Sequence, residues 1–344
     1  MVCEMKPPRV TADLALAQDT DAILELNVQE YGPGDILATH ADFAWRHDQN
    51  PAGQAVVPVI RDNHGRVIGF IWLVPLHLRL RGQDRLAAAG TNLVIHPKYR
   101  NTFGYTKLIR RFEQVFRDRD ILLHMSFISK RKYQELYKNA PRTVSTIPLL
   151  IKPLVPGFMA HRRLGSVEQE ITVKTVEQFD SSFDQFWLQV QDKYPVMAIR
   201  ASAFLAWRFK NISGRRYHIL VAQVDDQIAG YAVLRCATVR RIKTGLVMDL
   251  LVRGDAVGEA AGARLMFEAA AFFRACGVLF AVGLMAPGAV EYRILRRAGY
   301  VHLPAALAPR VFHFAFFVHN RRERDLTALS AQDWFVTLAD YESF

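Results

Sequence analysis

The 344-residue sequence repeats itself. Ala44-Trp45-Arg46 returns as Ala206-Trp207-Arg208, 162 positions later, and Ile68-Gly69-Phe70 returns as Ala229-Gly230-Tyr231, 161 positions later. Two landmarks at nearly one offset argue for a duplicated module, and the length agrees with two units of ordinary domain size. Residues 1–155 are expected to form the first unit, 166–320 the second, and 321–344 a tail that docks on the second. Between the units, Pro156-Gly157 and His161-Arg162-Arg163 interrupt the periodic pattern.

Hydrophobic periodicity gives both copies the same order of elements. The first begins with a strand over 9–16, a helix to about Tyr31 stopped by Gly32-Pro33-Gly34, and a helix over 35–47. Strands over 55–60 and 67–80 follow, joined by Asp62-Asn63-His64-Gly65, where Asn and Gly tolerate positive φ. A third strand ends at Ile95, and the pattern continues as helix 104–118, strand 121–127, helix 130–139 and strand 144–152. The second copy reads as strand 168–175, helices 179–191 and 203–210, and strands 217–224, 228–239 and 245–252. It closes with helix 256–275, strand 278–285, helix 288–298 and strands to His319. The fold class is therefore α/β with mixed sheets: two tandem units, each a mostly antiparallel twisted sheet flanked by helices.

In the first copy the turn from strand to helix, Leu93 to Leu108, breaks at Pro97 and passes through the basic Lys98-Tyr99-Arg100. Free backbone N–H groups and a helix dipole aimed at one point suit a phosphate or pyrophosphate, although many strand-to-helix turns share this layout. The net charge of +11 implies attraction to something acidic: coenzyme phosphates, an acyl carrier protein, RNA or an anionic membrane surface. The same basic pairs also read as solvated helix and strand ends.

With 51% hydrophobic and 22% charged residues, the chain is globular rather than disordered. Its three cysteines, Cys3, Cys236 and Cys276, lack CxxC spacing, so neither a disulfide framework nor a zinc site is expected. A reducing cytoplasm fits that usage. MVCEMKPPRV lacks the apolar core of a signal peptide, and the longest uncharged run, Ala275 to Val290, is too short and too rich in Gly and Pro to span a bilayer.

Strand, two helices, three antiparallel strands, then Val94-Ile95-His96-Pro97-Lys98-Tyr99-Arg100 leading into a helix, resembles the GNAT N-acetyltransferase fold, here as a tandem pair. The resemblance implies an acyltransferase moving an acetyl or similar group from a CoA thioester to an amine of a small molecule or amino sugar, with no metal. It implies acyl-CoA contacts along Val94, Ile95, Arg100, Asn101, Thr102, Phe103, Gly104, Tyr105 and Thr106. The family's turn reads R-x-x-G-x-G/A, and this copy keeps Arg100 but has Phe103 and Tyr105 at the glycine positions, with Gly104 between them. In the second copy, Val257-Gly258-Glu259-Ala260-Ala261-Gly262 has the small residues but valine in place of the arginine, and sets Glu259 near the expected phosphates.

By the same resemblance Tyr137 is the acid for the departing thiolate, a phenol being a neutral donor at pH 7. Thr91 and Asn92 could hold a water on the fourth strand, and Asp249 is either a base for the amine or a strand-end carboxylate paired with an arginine. Trp45 and Trp207 are expected in the core, with Arg46 and Arg208 open as anion contacts. Asp333-Trp334 to Thr337 and Asp340 resembles the W-x-x-T-x-x-D ending of bacterial tandem GNAT proteins associated with surface-polysaccharide gene sets. An acyl carrier protein or a charged tRNA stays open as the donor, as does a catalytically degenerate pair acting as a binding module.

Overall fold

Two-residue hairpins set the spine of each half. Arg81-Gly82 and Asp225-Asp226 both hold positive φ, the mirror-image turn whose twist matches that of paired strands. The computed structural model describes residues 10–100, 104–154, 170–212, 214–239, 241–319, 326 and 328–341. Its first half runs β1 (Thr11–Leu14), α1 (Thr20–Tyr31), α2 (His40–His47), β2 (Pro58–Arg61), β3 (Val67–Leu80), β4 (Gln83–Ile95) and α3 (Gly104–Asp118). It ends with β5 (Leu123–Ile128), α4 (Lys130–Asn139), β6 (Val144–Ile147) and β7 (Leu149–Pro153). The second half begins with β8 (Thr172–Val176), α5 (Ser181–Val190), β9 (Val196–Ala198), α6 (Ser202–Phe209), β10 (His218–Val224), β11 (Gln227–Val239) and β12 (Ile242–Val252). It goes on through α7 (Ala256–Ala275), β13 (Phe280–Leu284), α8 (Val290–Arg297), β14 (Val301–His302), β15 (Phe312–Val318) and β16 (Trp334–Phe335).

The halves exchange strands. The first sheet has the order β1-β2-β3-β4-β5-β15-β6, so a strand of the second half lies between two of the first. In return, the second sheet has the order β14-β7-β13-β12-β11-β10-β8, with β7 inside it. The stretch expected as one strand over 144–152 is thus two, broken at Pro148. Proline cannot donate to a ladder, and the chain leaves one sheet and enters the other there. The tail likewise touches both halves: β16 pairs with β9, which pairs with β3 of the first sheet.

The repeated landmarks meet or match. Trp45 and Trp207 stack with ring centroids 4.6 Å apart, and each indole N–H donates to the other's backbone carbonyl, at 2.8 and 2.9 Å. Gly69 and Gly230 are needed for close approach: a Cβ at Gly69 would stand 2.9 Å from the Val94 carbonyl oxygen, and one at Gly230 2.7 Å from Val252 Cγ1. One apolar core spans both halves, and a smaller one lies under α3, built from Leu108, Phe112 and Phe116 against Ile60, Ile71 and Leu73. The linker expected around 156–166 lies outside the described residues. No described helix is long and apolar enough to cross a membrane.

Candidate active site

β4 and β5 run parallel for only two residue pairs, Ala88 with His124 and Ala89 with Met125, and then part. Beyond that point β4 has no partner on its β5 side, and a slot opens between the strands. A register shift between Phe70 and Trp72 on β3 marks a bulge in β4, where Asn92 sits at φ +48. His96 N–H bonds the Ile68 carbonyl, so by alternation Ile95 turns its own N–H and C=O away from β3 toward the slot. Val94 points its side chain into the core.

Arg100 closes this end of the slot. Its Nε donates to the Ile95 carbonyl at 3.0 Å and its Nη2 pairs with Glu30 of α1 at 2.5 Å, leaving the side chain 49% exposed. Tyr105 and Thr106 stand exposed in the first turn of α3, and Gly104 is buried at its start. Asn101, Thr102 and Phe103 lie outside the described residues. Thr91 Oγ1 donates to Asn92 Oδ1 at 3.2 Å, both residues half-buried beside the bulge.

Tyr137 is 57% exposed on α4, a helix that buries none of its side chains fully. Its ring lies on Tyr133, centroids 5.7 Å apart, and Tyr133 stacks on His313 at 4.2 Å. These contacts tie Tyr137 to the β15 side of α4, not to Asn92 or Ile95. One slot residue went unforeseen: Ser126 Oγ donates to the Gly90 carbonyl at 2.8 Å, at the point where β4 and β5 separate. A lone serine in an apolar strand carries no sequence signal for that role.

In the second half the same parting occurs but is filled. β12 and β13 pair from Thr244–Phe280 to Val247–Gly283, and Met248 is the extra residue of a bulge on β12. Past it, Met285 pairs with Thr337 of the tail. Thr337 Oγ1 donates to Asp249 Oδ1 at 2.9 Å; Arg200 Nε and the Tyr231 hydroxyl reach Asp249 Oδ2 at 3.0 and 2.9 Å. Arg200 also pairs with Asp340 at 2.8 Å. Asp249 is fully buried; burial pushes its pKa above the usual carboxylate range, with Arg200 acting against the shift. Every oxygen of this carboxylate is engaged and none meets solvent, so the geometry makes Asp249 the strand-end carboxylate of an ion pair, in place of a base for an amine.

The backbone of that half is engaged as well. Glu291 accepts the Val252 N–H at 3.0 Å and holds Lys193 and the Tyr194 hydroxyl at 2.6 and 2.5 Å. Asp255 caps α7 by accepting the Gly258 N–H at 2.8 Å, and Glu259 pairs with Arg293 and Arg297. A Cβ at Gly258 would lie 2.1 Å from the Arg253 carbonyl oxygen, so that glycine serves packing of its own turn.

His96 caps the short turn after β4, its Nδ1 accepting the Lys98 N–H at 3.3 Å. Arg46 pairs with Asp42 inside α2 at 2.7 Å. Cys236 and Cys276, distant in sequence, lie side by side as free thiols, and burial with the neighbouring Cys276 pushes Cys236 up to about 12. Cys3 lies outside the described residues. Among the described residues no group of three or more His, Cys, Asp or Glu is arranged to hold a metal.

Solved structures of this architecture exist. The chain is similar to a GCN5-related N-acetyltransferase from Anabaena variabilis ATCC 29413, at 12% identity over 91% of this chain and 73% of that one, with a TM-score of 0.62. It is similar to Saccharomyces cerevisiae N-myristoyltransferase with bound myristoyl-CoA, at 15% identity over 91% and 84%, with a TM-score of 0.59. A tandem GNAT protein from the clavulanic acid biosynthesis pathway matches at 16% identity over 91% and 99%, with a TM-score of 0.57. At such identities the likeness is one of fold, and the fold is the tandem GNAT arrangement. No protein-family model and no curated protein matches the sequence.

Proposed function

We propose that a chain with this fold and this asymmetry is an acyl-CoA-dependent N-acyltransferase working from its first half, with a small-molecule amine, such as that of an amino sugar, as acceptor. One contrast carries the reading: among the described residues no segment pairs into the gap between β4 and β5 past Ala89 and Met125, while beside the gap between β12 and β13 Met285 pairs with Thr337 of the tail. Among the compared proteins one is named an acetyltransferase and another was solved with myristoyl-CoA, which agrees with a thioester donor.

A thioester arm bearing amide groups can pair with the outward-turned Ile95 backbone as an added strand would. Its pyrophosphate would meet Arg100 and the first turn of α3, Gly104 to Thr106. The acceptor nitrogen attacks the thioester carbonyl carbon, the oxygen takes up negative charge, and the carbon–sulfur bond breaks as the carbonyl re-forms. A backbone N–H turned out at the Asn92 bulge stabilises the oxyanion, a contribution of roughly 10²–10³ in rate for such donors. A water held beside the Thr91–Asn92 pair passes the ammonium proton on to solvent, and Tyr137, exposed on α4, gives a proton to the thiolate.

Calorimetric titration with acetyl-CoA tests the site. Wild-type protein is expected to bind and Arg100→Ala to bind roughly tenfold more weakly, the size of one charge-assisted hydrogen bond. Absence of binding, or affinity unchanged by Arg100→Ala, would count against the first-half site. One feature favours a protein-borne donor: Lys130, Arg131 and Lys132 crowd the first turn of α4, where the helix dipole disfavours cations. A larger kcat/KM for acyl carrier protein thioesters than for acyl-CoA, lost on reversing those charges, would establish that version.

A further inference from the structure

A cavity of about 620 Å3 opens where the loop before β10 meets the middle of β11, lined by Gly214, Arg215, Arg216, Arg235 and Cys236. Among the described residues of that lining there is no acidic side chain. Arg216 is exposed, and Arg235 is half-buried with its guanidinium 5.8 Å from the centre of the Tyr217 ring. Arg215 is buried; loss of water lowers its pKa to about 10, so it stays charged at neutral pH.

Behind the lining, the buried Tyr217 hydroxyl and the guanidinium of Arg208 face each other, with Tyr217 O–H and Arg208 Nη1 making no further hydrogen bond among the described residues. Burial works to raise the Tyr217 phenol, and the guanidinium groups of Arg208, Arg215 and Arg235, with a hydrogen bond from Arg208, together outweigh it, so its pKa is lowered. The other nitrogens of Arg208 are bound, Nε to the Ala339 carbonyl at 2.8 Å and Nη2 to the Tyr341 carbonyl at 3.0 Å.

The cavity faces the first half. A Cβ at Gly214 would stand 3.4 Å from Ile36 Cδ1, and Arg215 lies in the field of Asp42 and Arg46 of α2. Arg208, buried behind the lining, donates to the Tyr341 carbonyl, and the Tyr341 ring packs on Phe127 of β5 with centroids 5.2 Å apart. β5 borders the open slot.

We propose that this cavity binds a phosphate or diphosphate ester carried by the acceptor, resting on the acyltransferase reading above for what the ester is attached to. Arg216 and Arg235 together exceed the charge of a single carboxylate, and guanidinium forks match phosphate oxygens two at a time. The acceptor class is then a phosphorylated amino compound, its anion held between Arg216 and Arg235.

The test uses the full-length chain and inorganic pyrophosphate as probe, followed by calorimetry in wild type and in Arg216→Ala, Arg235→Ala and Arg100→Ala, with acetate as a carboxylate control. Pyrophosphate is expected to bind, to weaken roughly tenfold to a hundredfold in Arg216→Ala and in Arg235→Ala, and to keep that cavity-bound component in Arg100→Ala. Arg216 is exposed, so its variant tests the site without endangering the fold. Acetyl-CoA affinity should be unchanged in both cavity variants. The proposal is overturned if pyrophosphate does not bind, if acetate binds as well, or if neither cavity variant weakens it. Loss of pyrophosphate in Arg100→Ala alone would also overturn it, while leaving the acyl-CoA site standing. Normal pyrophosphate behaviour with no acetyl-CoA binding would instead sink the acyltransferase reading and keep the anion site.

Discussion

Thr91 and Asp249 hold corresponding places: their cross-strand partners, Trp72 and Val233, follow the repeated Gly69 and Gly230 at the same distance along the strand. A carboxylate there reads in sequence as a base, yet only its surroundings assign the role. Arg200, Tyr231 and Thr337 approach it from separate segments, and no local pattern announces them. The tail motif was legible as a short ending resembling W-x-x-T-x-x-D; that its Asp340 pairs with Arg200 and its Thr337 bonds Asp249 was not. Another pair of distant residues yields a pH prediction. His124 Nδ1 and His319 Nε2 share a hydrogen bond at 2.7 Å within a stack including Phe116 and Phe317. Burial holds His124 well below its ordinary range and His319 at about 4. An unfolded chain protonates both near pH 6.5, so between about pH 6.5 and 4 the unfolded state binds more protons and stability rises with pH. Acidification from pH 7 to 5 should therefore cost on the order of 1–2 kcal/mol through His319. Urea unfolding at the two pH values measures it, and His319→Phe, which keeps a ring on Phe116, should lose part of the difference. The same pH dependence in both proteins would exclude the histidine pair as its source.

At the scale of elements, the order of strands and helices was readable because apolar periodicity and turn residues are local signals. Arg81-Gly82 and Asp225-Asp226 sit where the pattern asks for hairpins. Strand partners are different, since pairing is decided by which edge is vacant after folding, and β7 and β15 carry no mark of the sheet they join. The Trp45–Trp207 contact lies between these cases: the repeat was visible, but that its two tryptophans would stack on each other was not. Each indole satisfies the other's backbone carbonyl, so Trp45→Phe and Trp207→Phe should be non-additive. A double-mutant cycle is expected to return a coupling of about 0.5–1.5 kcal/mol, as for other aromatic pairs. A coupling near zero would mean that the two halves dock without help from this contact.

For the whole molecule, the exchange makes the second half a condition of the first half's site. β5 forms one wall of the slot, and its outer neighbour is β15, paired from His313–Ile128 to Val318–Leu123. Without β15, β5 and β6 would be left as bare edges flanking a gap, an arrangement prone to aggregation. The second half alone would equally lack β7 between β13 and β14. This accounts for a second copy whose own gap is filled by the tail and whose helix N-terminus is capped by Asp255: it supplies a strand, the tryptophan contact and the arginine cavity. A chain of residues 1–166 made alone should therefore show no sharp thermal transition and no acetyl-CoA binding. Co-expressed with residues 167–344, it should recover both, because each fragment carries the strand the other needs. A first fragment that is monomeric, unfolds cooperatively and binds acetyl-CoA by itself would show that the slot does not depend on β15, and the retention of the second half would then have to lie in the arginine cavity alone.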